Sequence, residues 1–209
     1  MQILAVNKRK AGLYQVVVEG GEQILLDGDV LFDYQIQAGK ELDAATLQTA
    51  LHDSCFKRAK ERALYLLTYR DHSRSELCDK LLRDYPEPIV EEIAQRMEEL
   101  GFIDDFQYAN KLANRFLVKK CYSFRRAEYE MRRKGLCADL VHEALCACDV
   151  CAVDQIYSLI EKKYASKLLG EDGERKVAAA LARLGFSYSD IRTAMQAYMD
   201  EAFEIDYYE

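Results

Sequence analysis

The sequence predicts a mainly α-helical protein in which three tandem three-helix repeats follow a small antiparallel β-containing N-terminal region. The first observation is a period of 50 residues, shared by helix-ending pairs and by the apolar residues four and eight positions before them. The pairs are Asp84-Tyr85, Lys134-Gly135 and Leu184-Gly185, and the apolar residues are Leu77 and Leu81, Ala127 and Met131, and Val177 and Leu181. Such a period indicates an array of small helical units, each unable to bury its apolar face alone.

Composition provides the second observation and the N-terminal pattern the third. Half of the 209 residues are hydrophobic and only two are proline, which leaves long stretches free to form helix. The first 45 residues are instead rich in β-branched residues and turn residues. We predict a β-hairpin and helix region over 1–54, a first repeat over 55–103, a second over 104–152, and a third with an acidic tail over 153–209.

The N-terminal region reads as three antiparallel strands. Residues 2–6, 14–19 and 23–26 carry the strand pattern, and Gly20-Gly21 predicts a tight hairpin turn between the last two. Residues 29–35 fit either a short helix or an extended link. A turn over 38–40 then precedes a helix that opens near Asp43.

Helix caps divide the first repeat. Ser73 and Glu76 form a capping box that starts its second helix. Pro86 and Pro88 suit the first turn of its third helix, which Gly101 ends.

The later repeats carry similar punctuation. Asp104 and Asp105 suit the start of a helix whose buried face carries Tyr108, Leu112 and Phe116. Ser123 is placed to cap the next helix, Gly135 ends it, and Asp139 begins the third. In the last repeat, residues 170–173 read as a loop and residues 187–190 as another capping box.

The joint between the first two repeats is expected to be structural. We predict that the two aspartates cap a helix and that the apolar residues form core. The joint residues are Leu100, Gly101, Phe102, Ile103, Asp104 and Asp105, with Gly135 at the later helix end.

Charge is divided unequally along a chain of net charge −7. Between Lys111 and Lys134, nine Lys or Arg residues face only Glu128 and Glu130, a local charge of +7. From position 190 to 209 six acidic residues face one arginine, a local charge of −5. This division favours an oriented contact with a charged partner, although solvated helix faces would also explain it.

The remaining motifs point away from enzymes. No glycine-rich phosphate loop, nucleophile elbow or zinc-protease motif is present, so no catalytic residue, cofactor or enzymatic activity is expected. The seven cysteines read as reduced thiols of a cytoplasmic protein. Cys146, Cys148 and Cys151 resemble a metal or redox site weakly, but small buried hydrophobes are the better interpretation. No apolar run is long enough to span a membrane.

Several segments in fixed order resemble the RecX family of bacterial RecA modulators. They are residues 63–70 (ALYLLTYR), 73–77 (SRSEL), 100–109 (LGFIDDFQYA) and 132–136 (RRKGL), together with Arg125, Arg126 and Glu130. The resemblance covers nearly the whole chain. It implies an elongated, curved array of three-helix repeats and a role in DNA recombination, DNA repair and the SOS response.

The resemblance also implies a partner. Family members bind the RecA filament on DNA and lower its ATPase, strand-exchange and coprotease activities, so we expect a monomeric, cytoplasmic regulator of this kind. Weak contact with single- or double-stranded DNA is left open. The residues expected to contact the filament are Arg74, Arg125, Arg126, Arg132, Arg133 and Lys134. The alternatives are a direct DNA-binding protein of helix-turn-helix type and, less favoured, a cysteine-based sensor.

Overall fold

The computed structural model describes the backbone of residues 1–168 and 170–208, and their side chains as far as Glu201. The predicted tail residues Glu204, Asp206 and Glu209 lie outside the described side chains. The chain forms two compact units, Met1–Ile103 and Asp104–Glu209. Among the described residues, no helix combines the length and hydrophobicity needed to cross a membrane.

The first unit opens with a three-stranded antiparallel sheet. Strands β1 (Ile3–Lys8), β2 (Leu13–Val18) and β3 (Gln23–Asp27) lie in the order β1-β2-β3. Gly20 and Gly21 have φ angles of 98° and 83°, values that L-residues rarely adopt, so the hairpin turn depends on glycine. The predicted N-terminal sheet is therefore confirmed.

One face of this sheet packs against two helices. Helix α1 (Gly28–Asp33) shows that the residues after β3 form a short helix and not an extended link. Helix α2 (Ala44–Tyr69) begins at Asp43, whose carboxylate accepts the Thr46 backbone N–H at 2.8 Å. The core on this face contains aliphatic residues from every strand and from both helices, including Ile3, Val16, Val18, Leu26, Val30 and Leu47.

Helix α2 also supplies the first helix of the first repeat. It runs unbroken through position 54, where the N-terminal region was predicted to end, so both parts of the unit share it. Helices α3 (Arg74–Leu81) and α4 (Glu87–Glu99) complete the repeat. Ser73 Oγ accepts the Glu76 backbone N–H at 3.0 Å, as the capping box requires.

The turn after α4 corrects one prediction about the joint. Gly101 has a φ of 73°, and the Phe102 backbone N–H donates to the Met97 carbonyl at 2.9 Å, which completes a Schellman turn. This turn buries Ile103, but it leaves Leu100 46% and Phe102 53% exposed. The prediction that Leu100 and Phe102 form core is therefore wrong.

The second unit begins with helix α5 (Asp105–Ala113), which continues into a π-helical turn over Asn114–Lys119. Helices α6 (Phe124–Arg132) and α7 (Ala138–Cys146) follow. Asp104 and Ser123 accept backbone N–H groups at 2.8 and 3.3 Å, so both predicted caps are present. The expected buried face of α5 is confirmed, since Tyr108, Leu112 and Phe116 are all less than 9% exposed.

The remaining part of the second unit also begins with an α-helix that continues into a π-helical turn. Helix α8 (Ala152–Leu159) passes through a second π-helical turn, Ile160–Tyr164, into the short helix α9 (Ala165–Leu168). Helices α10 (Gly173–Arg183) and α11 (Tyr188–Tyr208) follow. The six apolar residues that defined the 50-residue period are all buried to 1% exposure or less, which confirms the repeated helix stripe.

Candidate partner-binding surface

The packing of α6 decides which of its side chains reach solvent. Ala127 and Met131 are fully buried on its inner face. Residues two positions away on a helix point elsewhere, so Arg125 and Tyr129 lie on the exposed side. A shallow groove on this exposed side is lined by Arg125, Glu128, Tyr129, Arg132 and Arg133, and we call it the α6 groove.

The α6 groove combines available positive charge with an exposed ring. The Arg133 guanidinium lies 3.8 Å from the Glu130 carboxylate and 5.7 Å from the centroid of the Tyr129 ring. Tyr129 itself is 62% exposed. Within the described part of the chain, neither Arg125 nor Arg132 pairs with a carboxylate. A guanidinium in this situation can take a carboxylate or phosphate in a two-pronged hydrogen bond, and the tyrosine adds apolar contact area.

Arg126, also predicted to contact the partner, is used inside the protein. Its guanidinium donates to the Arg183 carbonyl at the end of α10 and lies 4.3 Å from the Tyr122 ring centroid. Beside it, the Ser123 backbone N–H donates to the Leu184 carbonyl at 3.0 Å. The positive start of α6 thus meets the negative end of α10, and Arg126 adds a charge at that contact.

Gly185 makes this close approach possible. Its φ is 92°, and a Cβ atom there would lie 2.5 Å from Ser123 Oγ and 2.8 Å from Arg126 Cβ. We call this contact between α6 and α10 the α6–α10 joint. Sequence reasoning identified Gly185 as a helix end but did not predict what packs against it.

The other two predicted contact residues lie outside the α6 groove. Lys134 is half-buried in the turn after α6, next to Gly135, whose φ is 78°. Arg74 belongs to the first unit, where its guanidinium bonds to the carboxylates of Glu91 and, at 3.1 Å, Glu98. The hydrogen bond that the Arg74 guanidinium donates to the Glu91 carboxylate raises the pKa of Arg74 despite its partial burial. Arg74 therefore holds α3 to α4.

A second groove, which sequence reasoning did not single out, lies along α5 and its π-helical turn. Asn110, Lys111, Asn114, Arg115 and Lys119 line it, and we call it the α5 groove. The cations are four residues apart, so in an α-helix of 3.6 residues per turn each would lie a little further around the helix axis than the one before. A π-helical turn contains more residues than an α-helical turn, and it therefore brings the last cation back into line with the first two.

The cysteine cluster differs from its prediction. Cys146 and Cys151 are exposed and only Cys148 is partly buried, so the interpretation of all three as buried hydrophobes is wrong. The reason is that α7 ends at Cys146, one residue beyond the buried Leu145, and residues 149–151 are exposed. Among the described residues, no three His, Cys, Asp or Glu side chains are grouped so that they could hold a metal ion.

Comparison with known proteins identifies relatives of this fold. The family model for the first three-helix domain of RecX matches residues 59–97, and that for the third matches residues 152–195. The regulatory protein RecX of Streptococcus gordonii is 24% identical over 198 residues, which cover 94% of this chain and 76% of that protein. The regulatory protein RecX of Clostridioides difficile is 22% identical over 198 residues, 93% of each chain.

Solved structures show the same architecture. A crystal structure of regulatory protein RecX superposes with a TM-score of 0.63 at 22% identity, covering 93% of this chain and 98% of the other. A second, RecX from Lactobacillus salivarius, gives a TM-score of 0.60 at 24% identity and covers 69% of this chain and 96% of the other. The streptococcal and clostridial relatives and the first of these structures are named as regulatory proteins.

Proposed function

This chain belongs to the RecX family of regulatory proteins, and from that membership we propose that it binds the RecA filament on DNA through the α6 groove and lowers RecA activity. The activities lowered would be ATP hydrolysis, strand exchange and coprotease function. The protein would act by binding, without catalysis of its own. Family membership supports the partner, and the groove geometry supports the surface.

We choose this surface because the predicted contact arginines differ in whether they already have partners inside the protein. Three of the predicted contact arginines, Arg125, Arg132 and Arg133, line one groove. Arg126 and Arg74 are already bonded within the chain. A partner that offers carboxylates or phosphates can therefore engage Arg125 and Arg132 without breaking an ion pair within the described part of the chain.

The same groove suits a protein surface. Arginine and tyrosine are enriched where protein interfaces are most strongly bound, because both bring large area and directed hydrogen bonds. Tyr129 lies between arginines in this groove and is open to solvent. Binding across neighbouring RecA subunits there would favour a filament state that neither hydrolyses ATP nor exchanges strands.

The test is RecA-dependent ATP hydrolysis on single-stranded DNA, titrated with wild-type protein and with R125Q/R132Q. Each charged contact is worth about 1.5 kcal/mol, so losing two should raise the half-inhibitory concentration on the order of 100-fold. The matched control is K60Q/R83Q, which removes two exposed cations of the first repeat and should inhibit like the wild type.

Each outcome has a distinct meaning. If wild-type protein at equal concentration leaves RecA hydrolysis unchanged, the proposed function is wrong. If R125Q/R132Q inhibits as well as the wild type, the function stands but the α6 groove is not its surface. Tight, sequence-specific binding of duplex DNA without RecA would instead favour a helix-turn-helix DNA-binding protein.

A further inference from the structure

His142 and Cys146 form a pair of potential metal ligands on the exposed side of α7, and the proposed function uses neither. They are four residues apart, so they are neighbours on one face of the helix, and both are exposed. The Cys146 Sγ atom lies 3.5 Å from His142 Nε2. Imidazole nitrogen and thiolate sulfur are the donor atoms that zinc takes most often in structural sites.

The separation of the two donor atoms matches one edge of a zinc coordination tetrahedron. A Zn–N bond of about 2.05 Å and a Zn–S bond of about 2.3 Å, at a tetrahedral angle of about 109°, place the nitrogen and the sulfur about 3.6 Å apart. The observed separation of 3.5 Å agrees with this value. One ion can therefore bind both atoms with little rearrangement of the helix.

The surroundings of the pair hold the imidazole ring in place and leave room above it. Phe124 meets the His142 ring edge to face, with ring centroids 5.8 Å apart and ring planes inclined at 70°. Ala138, one turn before His142, is small and exposed, so another helix can approach closely. Asp139 and Glu143 are exposed on the same helix, and their negative charge attracts a dication.

One chain supplies only half of a zinc site. Structural zinc takes four ligands, and among the side chains that the structure describes no His, Cys, Asp or Glu joins this pair in a group of three that could hold a metal. The Cys148 thiol, two residues beyond Cys146, donates to the Ala144 carbonyl at 3.6 Å. A second copy of the chain, related by a two-fold axis, would bring an identical pair to the same ion.

We propose that His142 and Cys146 form a zinc site shared by two copies of this chain, each copy supplying one nitrogen and one sulfur. The imidazole binds through the lone pair of neutral Nε2, with its proton on Nδ1. Each Cys146 thiol releases its proton to solvent as the Zn–S bond forms, and the two thiolates balance the charge of the ion. The chain is then monomeric without zinc and dimeric with it.

The experiment titrates the metal-free full chain with zinc chloride in the presence of a phosphine reductant, and light scattering after gel filtration measures the mass. The mass should double and reach its plateau at one zinc ion per two chains. Cobalt(II) in place of zinc should give the strong visible absorption of a tetrahedral ion and a sulfur-to-metal charge-transfer band in the near ultraviolet. Addition of EDTA should return the protein to monomer.

Two single variants and one control locate the site. C146S and H142Q should each lose the zinc-dependent doubling of mass, and C146S should also lose the charge-transfer band. The control is C137S/C151S, which removes two other exposed thiols of the same unit and should dimerise like the wild type. Far-UV circular dichroism melts of each variant check that the fold is retained.

The proposal is wrong if zinc leaves the mass of the wild type unchanged, if the dimer survives EDTA, or if C146S or H142Q still dimerises with zinc. Loss of the dimer in C137S/C151S would also overturn it, because other thiols would then hold the ion. R125Q/R132Q leaves the pair intact and should still dimerise with zinc. This proposal and the proposed function can therefore fail independently.

Discussion

Substitution of Gly185 by alanine should destabilise the second unit far more than an ordinary glycine-to-alanine change. Gly185 has a φ of 92°, and placing a side chain in this left-handed region costs about 1–2 kcal/mol. The new Cβ would also meet Ser123 Oγ at 2.5 Å and Arg126 Cβ at 2.8 Å. Relieving this overlap requires α6 to move away from α10, a further cost of about 1–3 kcal/mol.

The expected total is a loss of roughly 2–5 kcal/mol of unfolding free energy, the sum of the conformational and packing costs. Gly101 supplies the matched control. It ends α4 with a similar φ of 73°, yet a Cβ there would have nothing within 4 Å. G101A should therefore cost only the conformational part, about 1–2 kcal/mol.

Urea unfolding followed by far-UV circular dichroism measures both losses, and hydrogen exchange of peptides from each unit assigns them. The excess cost of G185A should appear as faster exchange in α6 and α10. Equal losses in G185A and G101A would show that the α6–α10 joint is not tightly packed and that a side chain at position 185 meets no steric barrier.

Two further predictions concern charged and titratable groups of the first unit. K57M should lower the unfolding free energy by about 2 kcal/mol, because Lys57 Nζ lies 2.6 Å from the largely buried carboxylate of Asp27. The control is K60M, which changes an exposed lysine of the same helix and should lower the unfolding free energy little. Urea unfolding of both variants measures the difference. Burial lowers the pKa of His72, whose Nδ1 lies 2.9 Å from the Arg70 carbonyl, so the unfolded chain takes up a proton that the folded protein resists. Stability should therefore fall as the pH drops below about 6.5, by up to about 1.4 kcal/mol between pH 7.5 and 5.5, and this part of the fall should vanish in H72Q.

The helix caps of this fold were predictable because the hydrogen bonds that form them join residues only three positions apart. Ser73 and Ser123 each accept a backbone N–H from three residues onward, and Ser187 does the same with Asp190 at 3.1 Å. The apolar stripe was also predictable, since its period is a property of the helix itself. The predicted repeat boundaries and the predicted role of the α6 arginines stay predictions.

Features that depend on distant partners were not predictable. Arg126 resembled its neighbour Arg125 in the sequence, but its acceptor is the carbonyl of Arg183, 57 residues away. Phe102 and Ile103 looked equally suited to the core, and only the direction of the chain after Gly101 separates them. The π-helical turns likewise leave no residue pattern that distinguishes them from α-helix.

Helix α2 has a consequence for how the first unit gains and loses its structure. At 26 residues it is about 39 Å long, and its two halves serve two separate cores. Neither core can melt without fraying the helix that completes the other, so the sheet and the first three-helix repeat should unfold as a single cooperative block. A fragment cut at residue 55 would lose the Asp43 cap together with the part of this helix over residues 44–54, and a boundary drawn before residue 43 would serve better for an isolated repeat.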